Sequence, residues 1–290
     1  MNAATTSAGK GDRDGMRLLV FTDLDGTLLD HEGYGWEPAR PALERLRAGG
    51  HLVVPATSKT LAETGVLQRV LGIPGPAIVE NGAVLGLPPE LAPTDGLDPA
   101  GVWQVRRFSP PYDTVVGMLA DLRRTRGYRF RGFADLSERE VADLTGLTLD
   151  EATAARRRDG SEPIRWEDRP ERLADLDRDL AGLRLRRLTG GRFHHVLGSG
   201  ADKAMAMSEL RRLLAAAGHL FSLTVALGDG PNDVEMLAAA DRAVLVANPK
   251  APDFDTGRIT GLIRTRAPGP AGWAEAVHAL LDARAAREDS

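Results

Sequence analysis

Apolar positions along the chain fall into two patterns. Short continuous runs at Leu18–Phe21, Leu52–Ala56, Ala77–Val79, Leu223–Leu227 and Ala243–Val246 predict buried strands, because a parallel strand covered on both faces has no polar side. Between these runs the apolar residues take helical spacing, which predicts helices over 38–49, 61–71, 202–217, 234–240 and 273–287. Pro38 stands near the start of the first helix and Gly49-Gly50 ends it, while Gly72 and Pro74 stop the second. Strand and helix alternate, so the expected class is α/β with a doubly wound parallel sheet and right-handed connections. Ala243–Val246 is expected to be its last strand.

The alternation breaks between about Leu85 and Gly191, where Pro/Gly-rich stretches and Arg-rich helices replace it. An inserted α+β domain is expected over 85–191, inside a core built from 16–84 and 192–290 and preceded by a disordered polar tail over 1–15. Within the insert, Tyr112–Arg126 predicts a helix and Arg129–Phe133 an edge strand. Ser137 to Glu140 and Thr148 to Glu151 match the S/T-x-x-E capping box and predict two helix starts. Leu183–Leu188 and Arg192–Leu197 predict a hairpin that returns to the core.

Composition narrows the function. A net charge of −4 with both signs interspersed gives no basic face for nucleic acid, so a small-molecule partner is expected. Cysteine is absent, which excludes disulfides and thiolate metal sites and fits a cytoplasmic location. No apolar stretch approaches the roughly 20 residues of a membrane span. Positive charge is carried almost wholly by Arg, with Lys only at Lys10, Lys59, Lys203 and Lys250, so Lys59 and Lys203 mark places where a compact point charge is wanted.

Four stretches converge on one edge of the expected sheet: Asp23-x-Asp25, Thr57-Ser58-Lys59, Lys203, and Asp229 with Asn232 and Asp233. Phosphoryl transfer needs a nucleophile, donors for the phosphoryl oxygens, a cation and a metal held by hard oxygens, and each stretch supplies one part. Asp23 is the expected nucleophile, giving an aspartyl phosphate. Asp25 would protonate the leaving alkoxide and later take a proton from water. Asp229 would bind Mg²⁺ with Asp233 behind it, and Asn232 would donate to the phosphate. Other readings stand beside these: Asp23 to Gly26 as an ordinary turn, Thr57, Ser58, Asn232 and Asp233 as helix caps, and Lys203 as a solvated lysine.

Together these residues resemble the haloacid dehalogenase superfamily, whose phosphatases carry D-x-D-G-T, a Thr/Ser motif, a later Lys and G-D-x-x-N-D in this order. The resemblance covers both core segments and implies a Rossmann-like core with the insert as a cap that sets specificity. It implies catalysis by Asp23, Asp25 and Lys203, phosphate binding by Thr57, Ser58 and Asn232, and Mg²⁺ held by Asp23, Asp25, Asp229 and Asp233.

Thr57-Ser58-Lys59-Thr60, Glu80-Asn81-Gly82-Ala83, Gly132-Phe133-Ala134-Asp135, Ser161-Glu162-Pro163 and Gly191-Arg192-Phe193-His194 further resemble the mannosyl-3-phosphoglycerate phosphatases. That likeness implies a phosphorylated sugar-glycerate as substrate, contacted by Lys59, Glu80, Asn81, Gly82, Arg157, Ser161, Glu162, Arg192 and His194. A glucosyl-3-phosphoglycerate or broader sugar-phosphate phosphatase is the alternative. A phosphomutase and a phosphosugar-binding protein with an inactive core are the more distant ones. A monomer or homodimer is expected. If His194 and His195 lie on a strand, one of the two points away from the site. Ala204 departs from the Gly that usually follows the superfamily's Lys.

Overall fold

In the computed structural model, which describes residues 17–31, 33–91, 96–189, 193–250 and 253–288, every residue of β1 (Leu18–Thr22) is buried. A 3-10 turn over Glu37–Ala39 leads into α1 (Arg40–Ala48), followed by β2 (Leu52–Pro55), α2 (Leu61–Leu71) and β3 (Ala77–Val79). α2 begins on a complete capping box between Thr60 and Glu63 and ends on left-handed Gly72. The tail expected over 1–15 lies outside the described residues.

β3 departs from the expected parallel order. It touches the core sheet through one parallel bridge, Ala56 to Ile78, and then pairs antiparallel with β4 (Val84–Leu87). With β5 (Asp98–Ala100) and β6 (Trp103–Arg107) it forms a four-stranded sheet in the order β3-β4-β6-β5.

α3 (Tyr112–Arg126) opens the next unit, followed by β7 (Phe130–Gly132), α4 (Glu138–Thr145), α5 (Leu149–Ala155), β8 (Ser161–Trp166), α6 (Leu173–Gly182), β9 (Leu185–Thr189) and β10 (His194–Gly198). Both capping boxes form, with Ser137 and Thr148 as N-caps of α4 and α5. The strands make an antiparallel sheet in the order β7-β8-β10-β9, with β7 at the edge as expected. Ile164 and Val196 pack on Val115, Leu119, Leu176 and Leu180, so α3 and α6 cover one face of this sheet. The sheet pairings therefore differ from the expected insert of 85–191 at both ends: β4–β6 join β3, and β10 joins the sheet of β8 and β9.

The chain then forms α7 (Lys203–Ala216), β11 (Leu223–Gly228), α8 (Val234–Ala238), β12 (Arg242–Ala247), β13 (Ile263–Pro268) and α9 (Gly269–Glu288). The core sheet runs β13-β12-β11-β1-β2, all parallel. Alternation along β1 sends Leu18 and Val20 toward Leu43, Leu46 and Trp273, and sends Leu19 and Phe21 toward Met207, Leu210 and Leu237. Helices thus cover both faces, and the carboxyl ends of β1 and β11 are left to hold the site. β13, not Ala243–Val246, is the last strand. Its Arg264 and Arg266 are the charges an edge strand tolerates, and they hide its apolar signal.

Candidate active site

Asp23 continues β1 by one residue, its N–H donating to the Leu227 carbonyl at 2.9 Å, and this sets its carboxylate beside the loop after β11. The turn that follows depends on Gly26. With φ +84, it brings the backbone so close to Asp229 that a Cβ would lie 2.6 Å from Asp229 Oδ2. Thr27 Oγ1 donates to Asp229 Oδ1 at 2.8 Å, and Asn248 Nδ2 donates to the other oxygen.

Lys203, only 1% exposed on the first turn of α7, ties the two segments together. Its Nζ donates to Asp23 Oδ1 at 2.7 Å and Asp233 Oδ1 at 2.6 Å. Asp233 Oδ2 accepts the N–H groups of Asp229 and Gly230, closing the loop upon itself. A solvated lysine does not make these contacts, and Asp233 does more than cap: its bond from the Gly230 N–H is the capping box of the 3-10 turn over Pro231–Asp233, while its other oxygen takes the Lys203 ammonium. Burial alone lowers the Lys203 pKa, but Asp23 and Asp233 together hold it above its ordinary value. Burial raises the Asp23 pKa well above the usual carboxylate range, and repulsion from Asp233 and Asp229 adds to it against the pull of Lys203. Burial and Asp233 likewise push Asp229 up to about 6.

Ligand oxygens of Asp23, Asp229 and Asp233 lie within 4.8 Å of one another. Three crowded carboxylates, two of them with raised pKa, form a hard-oxygen set that fits Mg²⁺, whose charge would relieve their repulsion. Asp25 stands apart from this set: its Oδ2 meets Lys59 Nζ at 2.9 Å, while its Oδ1 is buried without a hydrogen-bond partner.

The loop after β2 is stitched to the loop after β3. Thr57 N–H donates to the Ile78 carbonyl, while the Glu80 and Asn81 N–H groups donate to the Lys59 and Thr57 carbonyls. Thr57 Oγ1 accepts from the Lys59 N–H at 3.2 Å. Asn232 Nδ2 reaches Asn81 Oδ1 at 3.3 Å, so these loops meet the loop after β11. Glu80, Asn81 and Gly82 all have positive φ, at 53°, 56° and 90°. Gly82 is required here: a Cβ would lie 2.1 Å from the Asp202 carbonyl carbon, just ahead of Lys203.

This left-handed run turns the Glu80 carboxylate onto the start of β8. Its oxygens accept the N–H groups of Asp159, Gly160 and Ser161 and the Ser161 hydroxyl, at 2.7 to 3.2 Å. Arg158 stands 3.7 Å away and donates to the Ser161 carbonyl and hydroxyl and to the Ser58 carbonyl. Glu80 and Ser161 thus join the insert to the core through contacts with each other. Arg157 is exposed, and its neighbour Arg158 is the one that turns inward. Arg192 lies outside the described residues.

Strand alternation separates the other candidates. Glu162 shares the helix-covered face with Ile164, where Oε2 accepts from the Tyr112 hydroxyl and Oε1 from the Ala134 N–H, both at 2.8 Å. His194 lies on that face too, its Nδ1 3.1 Å from Arg187 Nη1. His195 has the opposite orientation, alongside Leu197, which packs on Val79, Ala83 and Ala201 of the core.

Burial pushes Glu162 up to about 7, against its hydrogen bonds from Ala134 and Tyr112. Folding therefore favours the protonated form. The stabilisation is complete below the unfolded value near 4.5, and it is lost as pH rises through about 7, a change on the order of 3 kcal/mol. Glu162→Gln should lack this slope. Urea melts at pH 5 and pH 8 check it: the variant should gain stability relative to the native chain at the higher pH, and a pH-independent difference would contradict the assignment.

Comparison with known proteins agrees with this geometry. The model of the haloacid dehalogenase-like hydrolases matches residues 20–92 and 174–252. A glucosyl-3-phosphoglycerate/mannosyl-3-phosphoglycerate phosphatase from Persephonella marina is 32% identical over 266 residues, which is 91% of this chain and 97% of that protein. The chain belongs to the haloacid dehalogenase-like hydrolase family. Two solved members share its fold. A phosphatase from Bacteroides thetaiotaomicron aligns with TM-score 0.62 and 19% identity over 95% of this chain and 98% of its own. A subclass IIB sugar phosphatase aligns with TM-score 0.63 and 18% identity over 91% and 99%. Among the described residues, no helix is long and apolar enough to cross a membrane.

Sequence reasoning missed Arg158 and His195 as residues turned toward the core. Arg158 sits in a run of three arginines just past α5, where the chain leaves helical phase and spacing no longer assigns a face. His195 precedes Val196 and Leu197, which are both fully buried on opposite faces, so hydrophobicity gives no alternation to count from.

Proposed function

We propose that this hydrolase is a Mg²⁺-dependent phosphomonoesterase acting on mannosyl-3-phosphoglycerate through an aspartyl-phosphate intermediate. The observation that carries the reading is the buried Lys203 ammonium bridging Asp23 and Asp233, with Asp25 two residues further on and Asp229 alongside. A bound Mg²⁺, held by Asp23 and Asp229 and supported by Asp233, would supply positive charge beside the phosphoryl oxygens.

Asp23 attacks phosphorus as a carboxylate. Lys203 keeps that carboxylate oriented and stabilises charge on the phosphoryl group. Thr57, Ser58 and Asn232, at the ends of β2 and β11, donate to the phosphoryl oxygens. Asp25 protonates the leaving alkoxide and then removes a proton from the water that hydrolyses the intermediate. The unit over about 109–198 is the cap, and Glu80 fastens it. Lys59, beside Asp25, would meet the carboxylate of a glycerate leaving group.

The Persephonella marina relative supports this substrate class and equally supports the glucosyl ester. A phosphate-release screen over mannosyl- and glucosyl-3-phosphoglycerate, simple sugar phosphates and 3-phosphoglycerate, with Mg²⁺ and then with EDTA, tests the reading. Mannosyl-3-phosphoglycerate should be turned over best, and only with the metal. Preference for a simple sugar phosphate would replace the substrate, and isomerised sugar phosphate without phosphate release would replace the reaction.

Asp25→Asn should slow the natural ester by at least about 100-fold and p-nitrophenyl phosphate far less, because nitrophenolate leaves without an acid. Steady-state rates on the two esters check this. Equal losses would remove Asp25 from the acid role.

A further inference from the structure

Among the described residues, His195 is one of three side chains with a buried, unpartnered nitrogen, beside Arg106 and Arg186. It is 9% exposed, its Nδ1 has no hydrogen-bond partner, and strand alternation turns it toward the core. Burial lowers its pKa to about 3, with the positive charges of Arg158 and Lys203 acting in the same direction. The imidazole is therefore neutral at ordinary pH, with one N–H and one lone pair. Its cationic neighbours have other partners. Arg158 donates to the carbonyls of Ser58, Ala155 and Ser161 and to the Ser161 hydroxyl. Lys203 donates to Asp23 and Asp233.

A buried acceptor left unpaired is costly, so its partner is expected to arrive with a ligand. Positive potential from Arg158 and Lys203 favours the tautomer that turns a lone pair, rather than an N–H, toward them. A lone pair needs a donor. Phosphate and carboxylate groups at neutral pH offer none, whereas the hydroxyls of a polyol or sugar do.

We propose that His195 is a specificity residue, accepting through Nδ1 a hydrogen bond from a hydroxyl of the alcohol portion of the phosphate ester. The inference rests on the phosphatase reading above and adds to it a residue outside the motifs. It requires the ester to reach beyond the phosphoryl group toward β10, and it predicts discrimination against esters without hydroxyls.

The test compares the full-length enzyme with His195→Ala, His195→Asn and His195→Gln on mannosyl-3-phosphoglycerate and on p-nitrophenyl phosphate. Asn carries its amide oxygen where the imidazole has Nδ1, whereas the Gln amide reaches to the place of Nε2. Expected is a loss of about tenfold or more in kcat/KM for His195→Ala on the hydroxylated ester, carried mainly by KM. Activity on p-nitrophenyl phosphate should stay within about twofold, with His195→Asn restoring most of the loss and His195→Gln little of it. Equal losses on both esters, or no loss on either, overturn the proposal. If His195→Ala fails to fold by circular dichroism, the Asn and Gln variants decide: equal behaviour on the hydroxylated ester overturns it. Should the native enzyme release no phosphate from either ester, the phosphatase reading itself fails, which is a different result from any of these.

Discussion

Asp23→Asn should reduce phosphate release by at least about 10³-fold while leaving the melting temperature unchanged or slightly higher. The rate loss follows from the proposed chemistry, because an amide oxygen cannot form the aspartyl phosphate. The stability follows from the site. Asp23 is a buried carboxylate crowded by Asp229 and Asp233, and its raised pKa says that the surroundings resist its charge. A neutral amide removes that repulsion, its oxygen still accepts from Lys203, and Lys203 keeps Asp233 as a partner. Single-turnover phosphate release and a thermal melt check both halves. Near-normal release by this variant would sink the covalent mechanism, and a large fall in melting temperature would mean that the ion pair is chiefly structural.

Glu80→Ala should destabilise the protein by about 3–5 kcal/mol, the usual range for removing one partner of a buried ion pair. The carboxylate accepts from three consecutive backbone N–H groups and one hydroxyl, and it balances Arg158. Alanine leaves all of them buried without an acceptor. It also keeps the left-handed φ, so backbone strain does not fall in compensation. A drop of about 10 °C in melting temperature is expected. Earlier proteolytic cleavage between α5 and β8 should accompany it, because the clamped turn lies there. A variant that melts with the native chain would show that water replaces the carboxylate at little cost.

Sequence pattern carried the core further than the insert, for identifiable reasons. β1, β2 and β11 are buried on both faces, so each reads as an unbroken apolar run that needs no knowledge of its neighbours. The capping boxes of α4 and α5 are local reciprocal hydrogen bonds, and local interactions survive in the sequence. The β3–β6 sheet was not legible: β3 looks like any buried strand, and only its pairing with β4 reveals that it leaves the parallel order.

The site divides along the same line. Asp23, Asp25 and Asp229 declare themselves by standing at strand ends, and Lys203 by being a rare lysine. Glu80 stands among the substrate contacts that the family resemblance implies, whereas its carboxylate is occupied by the backbone of the insert. That depends on three successive positive φ values, which a Glu-Asn-Gly sequence permits without dictating. The choice between His194 and His195 depends on the register of β10 against β8.

Segment 57–60 belongs to both parts of the molecule at once. Lys59 holds Asp25, the Ser58 carbonyl takes a guanidinium N–H from Arg158, and Thr60 Oγ1 donates to the Ala154 carbonyl. A phosphate mimic bound at Thr57, as proposed, and anything gripping the insert would share one piece of backbone. Their affinities are then reciprocal: whatever factor a phosphate mimic adds to the hold of the insert, an insert held down returns to the mimic. Two titrations of one coupled equilibrium would read the same number.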